Sequence, residues 1–66
     1  MTIADDVTHT TWSRVQSGLH VGNRDGEFLG FVEKGPDGRF VAFDGHAEPV
    51  GTFTRLEEAE GAVEHG

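Results

Sequence analysis

The chain has no cysteine, two prolines and a single lysine. Without cysteine there can be neither disulfide staples nor thiolate metal ligands, which fits a reducing cytosol; a cytoplasmic protein is expected. No apolar run approaches the ~20 residues that a membrane-spanning helix needs, so no membrane partner is expected. The opening stretch MTIADDVTHTT has neither the basic nor the apolar region of a secretory signal. Basic residues are also scarce. Arg14, Arg24, Lys34, Arg39 and Arg55 are scattered along the chain and face twelve acids, for a formal charge of -7. Phosphate backbones are bound by clustered Lys and Arg, so the composition argues against nucleic acid. It favours solubility or, in a sharper reading, a surface that imitates DNA or attracts a basic partner.

What is present suffices for one small domain. In 66 residues with 35% hydrophobic content the core must be thin. Residues 1–11 show no periodicity and are expected to form a flexible N-terminal segment. Residues 12–66 then form a single β-sheet-plus-helix domain, with Trp12 as its first ordered residue.

Tight turns divide the domain into strands. In NRDGE, Asn23 to Glu27, the Asp25-Gly26 pair is a hairpin signal. In GPDGR, Gly35 to Arg39, Pro36 presets a turn and Gly38 closes it. DGHAEP, Asp44 to Pro49, is a looser third turn. The strands between are expected over Ser17–Gly22, Glu27–Lys34, Arg39–Asp44 and Val50–Phe53, the first with a start as early as Ser13. Loops this short make the strands antiparallel neighbours. A helix follows: Thr54 reads as its N-cap and Glu57 completes a capping box, while Leu56, Ala59 and Val63 make one apolar stripe. At about ten residues this helix needs the sheet for support. The expected fold is α+β, a three- to four-stranded antiparallel β-meander with one C-terminal α-helix packed on one face.

Alternation sorts the strand side chains into two faces. If both Asp-Gly turns are three-residue loops, Val21 opposes Leu29 and Phe31 opposes Phe43. One face then carries Leu19, Val21, Leu29, Phe31, Val41 and Phe43, an aliphatic and aromatic surface expected to seat the helix. The second carries His20, Phe28, Val32, Lys34 and Phe40, interspersed with Gly22, Gly30 and Ala42. One short helix cannot cover both. Phe28, Val32 and Phe40 therefore need a cover from Trp12, from a second copy or from another protein. His20, Phe28, Val32, Lys34 and Phe40 are the expected partner-binding residues.

From Gly38 onward, GRFVAFDGHAEPVGTFTRLEEAEGAV resembles the plant ethylene-response-factor DNA-binding domains and the arm-binding domains of tyrosine integrases. The likeness rests on Gly38, Phe40 and Ala42 on one strand. It continues in Gly51, Thr52 and Phe53 before a helix that contains Glu57, Glu58 and Ala59. It covers less than half of the chain and implies a three-stranded antiparallel sheet crossed by a helix. Those families read DNA with Arg and aromatic side chains on the sheet. At the comparable strand only Arg39 is available here, so the resemblance implies the fold and not the ligand.

No reactive constellation stands out. Ser13 and Ser17 have no elbow or neighbouring acid–His pattern, and the four histidines are dispersed. Asp44, His46 and Glu48 alternate as oxygen and imidazole donors could around a divalent metal, but they lie in a turn. No catalytic, metal or cofactor site is expected. The sequence points to a small acidic, non-catalytic interaction module whose partner is a protein or a second copy. An acidic regulator or DNA mimic comes next, and binding of nucleic acid through the sheet third.

Overall fold

The computed structural model describes residues 10–65. Five strands run β1 (Thr10–Gln16), β2 (Leu19–Arg24), β3 (Glu27–Lys34), β4 (Phe40–Asp44) and β5 (Pro49–Phe53), followed by helix α1 (Leu56–His65). The strands form one antiparallel meander in chain order. The class is α+β as expected, with five strands where three to four were expected. The additional strand is β1. Its TTWSRVQ sequence is rich in β-branched and aromatic residues, and the Ser17-Gly18 pair turns it back onto β2 with Gly18 at φ 79°. Thr10 and Thr11, expected to precede the domain, belong to this strand. The other residues of the expected flexible segment lie outside the described residues.

The turn at Asp25-Gly26 is tighter than expected. Both residues have positive φ, 53° and 83°, the signature of a two-residue type I′ hairpin, and Arg24 pairs with Glu27. A bulge follows. Gly22 pairs with Gly30 and Asn23 with Phe28, which leaves Leu29 as the extra residue of β3. Val21 accordingly pairs with Phe31 rather than with Leu29. The register of β3 on β4 matches the sequence reading, with Phe31 opposite Phe43.

The helix lies on the side opposite to the expected one. The core consists of Val32, Ala42, Ala59 and Val63, with Trp12, Leu29, Phe40, Phe53, Leu56 and Ala62 packed around it. The face with small residues thus receives the helix. A Cβ on Gly30 would stand 2.9 Å from Val63 Cγ1 and would collide with the Phe43 carbonyl. Side-chain-free backbone at Gly30 and the short Ala42 let Ala59 and Val63 descend to the sheet. The same holds beside the helix, where a Cβ on Gly22 would lie 2.8 Å from the Trp12 indole. Trp12 therefore covers the β2 part of this face and α1 covers β3 to β5.

The helix start is also displaced from the expected one. The Arg55 carbonyl accepts the Ala59 N–H at 3.2 Å, which makes Arg55 the capping position in place of Thr54. The Arg55 side chain reaches Glu57, with Nη2 2.7 Å and Nε 3.0 Å from Oε2.

Candidate interaction surface

The strand pairing defines what each face presents. On the helix side stand Trp12, His20, Gly22, Gly30, Val32, Phe40 and Ala42, brought together by pairs such as Trp12–Gly22, His20–Val32 and Val32–Ala42. On the open side, Val21–Phe31–Phe43 make one row across three strands and Leu19–Glu33–Val41 another. The Phe31 and Phe43 rings stack with centroids 4.6 Å apart and planes 13° from parallel, a contact worth about 0.5–1.5 kcal/mol beyond area burial. No helix or strand of the described residues lies over these rings, and none of Leu19, Val21, Phe31, Val41 or Phe43 is fully buried.

The five expected partner-binding residues do not form one patch. Val32 has 0% exposure beneath the helix, and Phe40 packs against the same core. His20 is half-buried on the helix side. Lys34 is exposed at the end of β3, its Nζ 5.9 Å from the centroid of the Phe40 ring, where a cation–π attraction operates. Phe28 is 46% exposed and, through the bulge, pairs with Asn23 and so joins the open side. Leu29 takes the opposite course and packs on the core. The open surface is therefore Leu19, Val21, Phe28, Phe31, Val41 and Phe43. Alternation had grouped five of these six correctly. The distribution of glycine and alanine was the signal for which group the helix would cover.

The two sheet edges are less inviting than the face. At the β1 edge, Val15 is a bulged residue between the Arg14–His20 and Gln16–Leu19 pairs and is 58% exposed. At the β5 edge, Pro49 opens the strand and Val50 forms a second bulge. Bulges and proline both hinder the addition of a further strand.

Polar groups serve structure at two places. The Trp12 indole N–H donates to Glu64 Oε2 at 2.7 Å, and Arg24 Nη2 donates to the Glu64 carbonyl at 3.4 Å. This ties β1 and β2 to the last turn of α1. In the DGHAE turn, Asp44 Oδ1 accepts the backbone N–H of His46 at 2.8 Å and of Glu48 at 3.0 Å. The bond from Glu48, then that from His46, holds the Asp44 carboxyl below its ordinary range. Among the described residues there is no pocket and no group of three acidic or histidine side chains placed to hold a metal. No helix among them is long and apolar enough to cross a membrane. No protein family, curated protein or solved structure matches the chain.

Proposed function

We propose that the protein is a small acidic, non-catalytic interaction module of the cytoplasm that associates with a second copy of itself through the open sheet face. The stacked Phe31–Phe43 pair opposite the helix is the observation that carries this reading. Large apolar residues contiguous across three strands are unusual on a face left to water. Charge favours a second copy as the occupant. Glu33 is the one ionisable residue in the two central rows of the face, whereas the chain as a whole carries -7. Two such chains can approach where charge is sparse, and a strongly basic partner would be drawn elsewhere. Five strands at about 4.8 Å spacing and about 3.3 Å per residue span roughly 24 by 18 Å. Two faces of that size bury roughly 1,000 Å², the lower end for a specific interface, so the expected dimer is weak, with Kd on the order of micromolar.

Sedimentation equilibrium over a wide concentration range tests the proposal. The wild type is expected to shift from monomer to dimer, and Phe43→Asp to stay monomeric with an unchanged circular dichroism spectrum. A wild type that remains monomeric at millimolar concentration refutes self-association.

A second reading, an acidic regulator or DNA mimic that binds a basic protein, draws support from Glu57, Glu58, Glu60 and Glu64 on the ten-residue helix. It would show as salt-sensitive binding of a basic protein that Phe43→Asp leaves intact. Direct binding of nucleic acid ranks third, because five dispersed bases oppose twelve acids.

A further inference from the structure

A single carboxylate stands in the middle of the open face. Glu33 belongs to the row Gln16–Leu19–Glu33–Val41–Thr52, which crosses all five strands. Its two direct neighbours are thus aliphatic, and Phe31 lies two residues before it on the same side. The rows of Phe31 and Phe28 contain no ionisable side chain. Lys34, next in the chain, turns to the other face, where its Nζ stands over the Phe40 ring. The base next to Glu33 on the open side is Arg39. Its carbonyl accepts the Gly35 N–H at 2.8 Å, which sets it about 7 Å further along the strands, at the turn. Asp37 shares that turn and accepts the Arg39 N–H at 3.1 Å. Helix α1 lies behind the sheet. No ion pair among the described residues engages Glu33.

We propose that Glu33 couples self-association to protons: its ionised form holds the two open faces apart and its protonated form lets them close. This rests on the self-association reading above. Packed sheets lie about 10 Å apart with their side chains interdigitated, so a central row is withdrawn from water. An ionised carboxylate there is costly unless a base or a proton meets it. A two-fold axis along the strands sets the Glu33 rows of the two copies against each other. An axis across the strands, through the Phe31 row, sets Glu33 against the Phe28 row of the other copy. Neither arrangement lays a base over it, and Arg39 stays at the wet rim. The proton is therefore the available neutraliser. Each Glu33 takes one up as the dimer closes and releases it as the dimer opens. Uptake linked to association strengthens the dimer as pH falls towards the ordinary carboxylate value of about 4.3.

Sedimentation equilibrium of the wild type, Glu33→Gln and Glu27→Gln at pH 7 and pH 5 tests this, with circular dichroism as the check on folding. Glutamine keeps the shape and carries no charge. Glu27 is exposed beside the β2–β3 turn, on the side away from Phe28. Its variant controls for the loss of one negative charge from the chain total of -7. Glu33→Gln is expected to self-associate about tenfold more tightly than wild type at pH 7. The gap is expected to narrow at pH 5, because wild type tightens while Glu33→Gln has no such proton to take up. His20 and His46 also titrate in this range, but they do so in all three proteins and cancel. Glu27→Gln is expected to stay within about twofold of wild type at both pH values. Equal tightening in the two variants would reduce the effect to net charge and overturn the inference. So would a weaker Glu33→Gln dimer, which would mean that a base such as Arg39 meets the carboxylate across the interface. A Glu33→Gln dimer as strong as wild type at both pH values overturns it too. All three results leave self-association standing. Absence of a dimer in every variant at both pH values overturns both.

Discussion

The two faces of this sheet contain similar amounts of apolar side chain and are built in opposite ways. The helix face is low at its centre, with Gly22, Gly30 and Ala42, and the residues that descend onto it are Ala59, Val63 and the Trp12 ring. The open face is high, with Phe31 and Phe43 stacked and Leu19, Val21 and Val41 around them. Apolarity alone does not decide where a helix docks. A helix gains from close dispersion contact, and a ten-residue helix of modest apolar content can reach that contact only where the sheet leaves room. The taller face is left to a surface that brings its own relief.

Filling the low face should therefore do the most damage. Gly30→Val places a branched side chain against the Phe43 carbonyl and Val63, one a backbone atom that cannot rotate away. Overpacking ordinarily costs about 1–3 kcal/mol, and here the upper end or more is expected. Against a total stability of roughly 5–15 kcal/mol, at the low end for so small a domain, that can abolish folding. A thermal melt within a few degrees of wild type would show that α1 is not seated as described.

Removal of the second cover comes next. Trp12→Ala strips the indole from Gly22 and leaves the Glu64 carboxylate without its 2.7 Å donor. Large aromatic truncations in a core cost about 3–5 kcal/mol; Trp12 is only partly buried, so about 2–3 kcal/mol is expected in urea denaturation. Trp12→Phe separates the two contributions, since it retains ring contact and loses only the hydrogen bond, worth about 1.5–3 kcal/mol for a charged partner and less at this partly exposed site. Equal losses in both variants would assign the whole effect to the Trp12–Glu64 bond.

The open face should be far more tolerant. Phe43→Ala removes one ring of the stack from a side chain that water already reaches, and about 1 kcal/mol is expected in the monomer. A loss as large as that of Trp12→Ala, measured below the dimerisation range, would mean that both faces contribute equally to the fold.

The sequence reading separated these faces almost residue for residue and then assigned the helix to the wrong one. Alternation gave the partition because the period of a strand is two and the phase survives a hairpin. The Asp25-Gly26 turn is one residue shorter than assumed, yet the Leu29 bulge restores the offset, so Val21 and Phe31 share a face as expected. The bulge itself, which exchanges Phe28 and Leu29 between faces, has no mark in the local pattern beyond Gly30. Helix placement depends on relief, a tertiary property. It was legible in Gly22, Gly30 and Ala42, whose small size leaves room for the helix and the Trp12 ring to approach. The same limits apply at the helix start. Thr54 and Glu57 have capping-box spacing, but Phe53 packs on the core and ends β5, and the chain turns into the helix one residue later, at Arg55. Thr54→Ala is accordingly expected to shift stability by no more than about 0.5 kcal/mol, where a true cap would cost about 1 kcal/mol.

The smallest expected effect concerns the flank of the helix face. Glu60 is half-buried on α1, and burial raises its pKa; the charge of His20 opposes this, while Glu64 and Glu57 add to it. A carboxylate raised in the folded state binds its proton more tightly there than in the unfolded chain. Ionised Glu60 thus costs stability at neutral pH, and the cost is relieved as pH falls through the raised folded value towards the unfolded one of about 4.3. Glu60→Gln removes the charge, keeps the shape and has nearly equal helix propensity. Its melting temperature should exceed that of wild type slightly at pH 7, and the difference should close by about pH 4. Asp44 behaves in the opposite sense. Its pKa is lowered by turn hydrogen bonds, so it contributes stability above the unfolded value that is lost on acidification. Both proteins carry Asp44, so its contribution cancels in the comparison. A Glu60→Gln variant that melts lower than wild type at pH 7 would show that attraction between Glu60 and His20 outweighs desolvation, and would make that pair a fastening of the helix to β2.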